Sequence, residues 1–269
     1  MGKPTVIVIG ADKGGVGKTT VARTLLDYFK THEIPMRAFD TETPKGTLQR
    51  FHPDISEIVD ITTIAGQMRI FDTVSDSAVT VIDVRAGLLS STLRALRDIS
   101  FLDTAKEGQL TFIVFHILGS SIASLDEIEE IAELTTGGKH FLVKNFINDA
   151  SFFEWDQATQ KSYFKKSRYA EEITVPKLGE MVYEQVELAS VPFTTFIANK
   201  SQSGETANYS FVLRGYLRHW LSQVWDEYDR VKVKDIVANA STAAGRPRSQ
   251  VVKVADTSRK SEPLASSQS

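Results

Sequence analysis

The chain has 269 residues, with 42% hydrophobic and 24% charged side chains, which is enough to bury a sizeable core and excludes wholesale disorder, collagen and coiled coil. Lys plus Arg total 31 against 34 Asp plus Glu, a net charge of −3, so no global field draws the protein onto nucleic acid or anionic lipid, and such contact must come from a local patch. Cysteine is absent, which removes disulfides, thiol catalysis, cysteine-ligated zinc and iron–sulfur clusters. No apolar stretch nears the ~20 residues of a membrane span, and a cytoplasmic protein is expected.

In chain order, Thr5 to Ile9 is a continuous β-branched apolar run that suits a strand buried on both faces of a parallel sheet. A glycine-rich turn follows. Then Val21, Leu25 and Phe29, widened by Leu26, form the stripe of an amphipathic helix. The pattern repeats: Arg37 to Phe39 runs into Asp40, Ala78 to Ile82 into Asp83, Leu110 to Leu118 into a Ser-rich turn, and His140 to Val143 into Asn145. Helices are expected over Leu125 to Leu134 and from about Thr206 to Val231. Apolar strands alternating with helices define a doubly wound α/β fold with a mostly parallel sheet, and in such sheets the carboxyl ends of the strands line the ligand crevice. The composition changes beyond about Ala238 to Ser, Ala, Pro and basic residues. We therefore expect a domain over 1–237 and a disordered tail over 238–269. From Val237 to Ser269 five Lys/Arg face two Asp/Glu, so the tail is basic and the rest acidic.

The informative segment runs from Gly10 to Thr20, GADKGGVGKTT. Gly14, Gly15 and Gly17 allow backbone N–H groups, with those of Val16 and Thr20, to wrap a phosphate, and the following helix adds the positive end of its dipole. Lys18 supplies a point charge for β- and γ-phosphates and Thr19 a hydroxyl for Mg²⁺. The common phosphate loop has glycine where this chain has Asp12. The run KGGVGKTT instead closely resembles the deviant Walker A motif of the ParA/MinD family of ATPases. In that family a second lysine, matched here by Lys13, reaches phosphate bound in the partner subunit. The resemblance covers about residues 3 to 220 and implies ATP and Mg²⁺ as ligands, an ATP-dependent homodimer, and slow hydrolysis stimulated by an activating adaptor protein.

The same resemblance implies a switch segment of DxDPxG type. Here Asp40-Thr-Glu-Thr-Pro-Lys-Gly46 matches with Asp40 and Glu42, one residue being inserted before Pro44. Either acid is a candidate to orient the attacking water, and a glutamate reaches about one methylene further than the family's aspartate, which bears on rate. Asp83, at the end of an apolar strand, matches the Walker B acid that holds Mg²⁺ through a water. Val84, Arg85 and Ala86 replace the usual proline and small residue before Gly87. Arg85 reads first as solvated, with a phosphate or partner contact as its other uses. Asn145 resembles the family's adenine-reading asparagine, and Pro176, in the run Ile173 to Leu178, the proline loop that covers the base.

Relatives in the family act on DNA, on membranes or on metal clusters. Without cysteine the cluster carriers are disfavoured, and the tail lacks the amphipathic moment of a membrane helix. Candidate contacts for nonspecific DNA are Lys161, Lys165, Lys166 and Arg168, with Lys161 and Lys165 one helical turn apart, and the pair Arg214 and Arg218. Neighbouring acids, Glu154, Asp156, Glu171 and Glu172, dilute the first patch. The aromatics at Phe152, Phe153 and Trp155 faintly resemble ParA-like ATPases that serve plasmid stability or conjugative transfer, so a partition or transfer role with nucleoid association is the leading expectation. The alternatives are a dethiobiotin synthetase-like ligase, a nonhydrolysing scaffold and a membrane-associated positioning ATPase.

Overall fold

In the computed structural model, residues 3–147, 151–152, 154, 156–164 and 170–242 are described. The first strand β1 (Thr5–Gly10) is buried on both faces and leads through the glycine loop into helix α1 (Lys18–Thr31). There follow β2 (Met36–Asp40), the short α2 (Thr47–Phe51), β3 (Ser56–Ile58), α3 (Ile64–Phe71), β4 (Val79–Asp83), α4 (Leu89–Asp98) and α5 (Phe101–Lys106). The second half comprises β5 (Thr111–Leu118), α6 (Ile122–Leu134), β6 (Lys139–Asn145), α7 (Gln157–Phe164), β7 (Ala170–Val175), α8 (Glu180–Ala189), α9 (Phe193–Ile197), α10 (Phe211–Arg230) and α11 (Val233–Thr242).

The strands form one seven-stranded sheet in the order β3-β2-β4-β1-β5-β6-β7. Every pairing is parallel, so the mostly parallel expectation becomes wholly parallel among the described residues. Alternate residues of β1 feed two cores. Ile7 and Ile9 pack with Leu25, Phe29, Leu217 and Trp220 on one face, whereas Val6 and Val8 pack with Ile82, Leu93 and Leu96 on the other. This two-sided burial is why β1 reads as a continuous apolar run.

Helix α1 departs from the amphipathic expectation. Thr20 to Phe29 is buried without a break, because α2, α9 and α10 cover the polar side as well. The polar groups there are paired across elements. Asp27 accepts from the Phe193 amide at 2.8 Å and the Thr194 hydroxyl at 2.5 Å, and Thr24 shares a 2.7 Å bond with the Tyr228 hydroxyl. Burial still pushes the Asp27 carboxyl up to about 6, against those bonds and the nearby Arg23.

The long late helix begins at Phe211 rather than near Thr206. Lys200 and Thr206 pair in an antiparallel bridge, and Ser210 caps the helix by accepting from the Leu213 amide, so the preceding residues form a turn. Helix α11 runs on to Thr242, past the expected start of the tail, with Val233 and Val237 in the core. Residues 243–269, and with them most of the expected tail, lie outside the described residues. Among those described, no helix is long and apolar enough to cross a membrane.

Candidate functional site

Sheet register brings the site together. Asp40 stands opposite Asp83, and Asp83 opposite Ile9, so the carboxyl ends of β2, β4 and β1 meet beneath the glycine loop. The loop is strained in the manner that glycine allows: Gly15 and Gly17 have φ of 73° and 84°. At Gly17 a Cβ would stand 2.2 Å from Asn145 Nδ2, so a side chain is excluded on steric grounds too. Asn145, the last residue of β6, donates through Nδ2 to the carbonyls of Val16 at 3.0 Å and Gly17 at 3.4 Å, while its Oδ1 accepts from the Ile147 amide at 3.2 Å. Its carboxamide therefore clamps the phosphate loop, a use that the expected role in reading adenine did not include.

A cavity of about 470 Å³ is lined by Gly14, Gly15, Gly17, Lys18, Thr19 and Thr20 from the loop side and by Asp40, Glu42, Asp83 and Arg85 opposite. A second cavity of about 140 Å³ is lined by Asn145, Pro176, Leu178 and Trp220. The two share Thr20, Ile147 and Tyr183, so they form one cleft with a charged end at the loop and a mixed end where Pro176, Leu178 and Trp220 stand beside Lys177, Glu180 and Glu184. The Pro176 carbonyl accepts from Trp220 Nε1 at 2.6 Å, which fixes the proline loop to α10. Ile147 and Tyr183 carry no motif signal. They reach the cleft only because the segment after β6 and the helix α8 fold over α1.

At the charged end, Thr19 Oγ1 donates to Asp83 Oδ2 at 2.7 Å, while Asp83 Oδ1 is buried with no hydrogen-bond partner. Burial pushes the Asp83 carboxyl up to about 7, with Asp40 and Glu42 adding to the rise and Thr19 and Lys18 opposing it. A buried, orphaned carboxylate oxygen beside a hydroxyl suits a hard divalent cation, which would satisfy the oxygen and hold the group ionised. These residues therefore fit Mg²⁺. Burial also holds the Lys18 ammonium below its ordinary value, opposed by Asp83 and Glu42.

The two switch acids divide their work. Asp40 Oδ1 accepts from the Glu42 amide at 3.0 Å, and its Oδ2 from the amides of Leu48 at 2.7 Å and Gln49 at 3.2 Å, so it caps α2. Burial raises its pKa against those bonds. Gly46 must be glycine for this cap, since a Cβ would stand 2.4 Å from Asp40 Oδ2. Among the described residues Glu42 accepts from the Thr47 hydroxyl alone, at 3.0 Å, and it lines the cavity, so it is the better placed of the pair to meet a water.

Asp12, at the position where glycine is usual, accepts from the Ser90 amide at 3.2 Å and from its hydroxyl, which ties the loop to the start of α4. Lys13 is exposed and does not line its own cavity, and its stem lies against Gly119, where a Cβ would stand 2.8 Å from Lys13 Cδ. Of the basic candidates, Lys161 on α7 is exposed. Lys165, Lys166 and Arg168 lie outside the described residues, as do Phe153 and Trp155. On α10, Arg214 is half-buried and donates to the Ile197 carbonyl at 3.3 Å, while Arg218, one turn on, is exposed.

The fold is a parallel α/β sheet that sets a glycine-rich loop, between β1 and α1, over the carboxyl ends of its central strands. No family model matches the chain, and no curated protein matches it. Among solved structures it is similar to a nucleotide-binding protein from Archaeoglobus fulgidus in complex with ADP, at 12% identity over 68% of this chain and 85% of that one, with a TM-score of 0.44. It is also similar to the MinD cell division protein of Aquifex aeolicus, at 11% identity over 81% of this chain and 97% of that one, TM-score 0.46. The MinC:MinD complex of the same organism gives 10%, 81%, 96% and 0.44.

Proposed function

We propose that the protein is an ATP-dependent dimerisation switch with slow ATP hydrolysis, of the kind its phosphate loop resembles. The observation that carries this reading is the single cleft that joins a glycine loop, Lys18, Thr19 and Asp83 at one end to a slot at Asn145, Pro176 and Trp220 at the other. Its two ends suit a triphosphate and a base.

In this mechanism the amides from Gly14 to Thr20 wrap the phosphates and Lys18 pairs with the β- and γ-phosphate oxygens. Thr19 and Asp83 would hold Mg²⁺, and the cation would supply charge neutralisation at the phosphates. Glu42 orients the attacking water. Asp40 holds the segment that carries Glu42 by capping α2. Lys13, exposed beside the loop, serves phosphate bound in a second copy. Loss of the γ-phosphate removes the bridge and the dimer opens, so nucleotide state sets assembly state.

We place this switch in DNA or plasmid partition, stability or transfer, with nonspecific duplex DNA and an adaptor protein as partners. Exposed Lys161 and Arg218 support the DNA contact. The test is the solution mass by light scattering without nucleotide, with ADP and with ATP·Mg²⁺, on wild type and Lys13→Ala. A dimer that forms only with ATP, and only with Lys13, is the expected result. A mass indifferent to nucleotide would refute the switch and direct attention to small-molecule reactions. Failure to be retained on arbitrary duplex DNA with ATP at low salt would refute the DNA role.

A further inference from the structure

We propose that Arg85 is a catalytic residue that the chain supplies to the γ-phosphate of the nucleotide bound in the same subunit. The proposal rests on the ATPase reading above and adds a transition-state role to a residue that sequence alone reads as solvated.

The first support is a pinned backbone beneath an unengaged side chain. The Val84 amide donates to the Ile9 carbonyl at 2.8 Å, the Arg85 amide to Thr41 Oγ1 at 2.8 Å, and the Gly87 amide to the Ala11 carbonyl at 3.3 Å. Thr41 in turn donates its hydroxyl to the Asp83 carbonyl at 3.1 Å, and the Leu88 amide closes a turn onto the Arg85 carbonyl at 3.2 Å. The turn is thus fastened to the phosphate loop, to β2 and to the Walker B strand. The Arg85 guanidinium, however, has neither a hydrogen bond nor an ion pair among the described residues. Five other arginines hold carboxylates: Arg23 and Arg50 hold Glu187, Arg69 holds Glu57, Arg94 holds Glu130 and Arg230 holds Glu227, whereas exposed Arg218, like Arg85, has none among the described residues.

The second support is charge. Lys18 and Arg85 are the cations among the residues that line the 470 Å³ cavity, where they face Asp40, Glu42 and Asp83. Asp60 feels the charge of Arg85, but it already accepts from the Thr62 amide at 3.0 Å and hydroxyl at 2.6 Å. Arg85 forms no ion pair among the described residues, so its guanidinium remains available to a phosphoryl group that enters the cavity beside Lys18.

A planar guanidinium suits a phosphoryl group, because its N–H groups can fork onto two oxygens. In the reaction the water oxygen bonds to the γ-phosphorus while the bond to the β,γ-bridging oxygen breaks. The electron pair stays on the β-phosphate of ADP, and the proton leaves the water by way of Glu42 to the released phosphate. Arg85 neutralises the negative charge on the γ-phosphoryl oxygens as that bond breaks.

The experiment uses the full chain, with Arg85→Ala and Arg85→Lys, and reads the binding of ADP·Mg²⁺ and of ADP·Mg²⁺ with aluminium fluoride, together with phosphate release. ADP affinity should stay within about twofold, whereas affinity for the aluminium fluoride complex and the rate of release should each fall about 100-fold in Arg85→Ala, as when a donor aimed at developing charge is removed. Lysine should restore part of both. Thermal unfolding without nucleotide should not change, because the side chain holds no partner among the described residues. Equal losses for ADP and the aluminium fluoride complex, or no loss in either, would overturn the proposal. Mixing Arg85→Ala with Lys18→Ala tests the same-subunit claim: recovered phosphate release would show the arginine acting across the dimer and overturn it. A wild type that binds no nucleotide overturns the ATPase reading itself, and the proposal with it.

Discussion

Replacing Asn145 by alanine separates two uses of one side chain. The resemblance assigns it to the adenine edge, whereas the structure spends its Nδ2 on the Val16 and Gly17 carbonyls and its Oδ1 on the Ile147 amide. Asn145 is 4% exposed, so its loss leaves the Val16 carbonyl without this partner in a buried place and the Ile147 amide without it in a half-buried one. An orphaned buried group costs about 1–3 kcal/mol, and the weaker 3.4 Å bond to Gly17 adds little, so the phosphate loop should loosen by roughly 2–3 kcal/mol. That corresponds to about 30- to 150-fold in the affinity of any ligand that needs the loop ordered. The assay compares ATP, GTP and inorganic triphosphate on wild type and Asn145→Ala by competition against a fluorescent nucleotide. Similar losses for all three, with the ATP to GTP ratio preserved, are the expected outcome. Intact triphosphate affinity with a collapsed ATP to GTP ratio would refute the clamp and return Asn145 to base recognition.

The remaining predictions concern switch geometry, a buried ion pair and acid stability. Gly46→Ala forces a methyl against Asp40 and should displace α2, lowering hydrolysis at least tenfold by moving Glu42, with ADP binding retained; unchanged turnover would contradict the cap. Glu187→Ala strands the fully buried Arg23 guanidinium, whose Nε and Nη2 already lack partners, and should cost about 3–5 kcal/mol in urea unfolding. The double variant Arg23→Met/Glu187→Leu should recover most of that loss, and no recovery would show that the charge pair itself is needed. His140, buried and stacked on His116 with ring centroids 5.7 Å apart, is pushed down to about 3, chiefly by burial and then by His116. A histidine held neutral in the fold gives stability that is present above its unfolded pKa and lost as pH falls toward 3. The His140 contribution to the unfolding free energy should therefore drop between about pH 6.5 and 3, by up to ~5 kcal/mol, and His140→Phe should make that limb shallower, with buried His52, also pushed down to about 3, supplying the rest; an unchanged pH profile in the variant would refute the assignment.

The layered α/β architecture and the loop at its centre were legible because their signals are local. A buried parallel strand must be apolar on both faces, as Thr5 to Ile9 is, and a phosphate loop needs its glycines, lysine and threonine in one short run. The acids at positions 40 and 83 were legible for a related reason: each ends an apolar strand, and parallel strands deliver their carboxyl ends to one crevice. The amphipathic reading of α1 failed on its polar side, because Arg23, Thr24 and Asp27 find partners in α8, α9 and α10, far along the chain.

What the sequence by itself determined was thus the alternation of strand and helix, the phosphate loop and the carboxylates that face it. Tertiary structure alone decided how those groups divide the labour: Asn145 on the loop carbonyls, Asp40 on α2, Asp12 on α4, Arg85 in the cleft, and Ile147 and Tyr183 joining its two ends. The physical reason is that a side chain's hydrogen-bonding capacity is filled by whichever groups packing brings within about 3 Å, and for these residues the partners lie in other elements that no local pattern encodes.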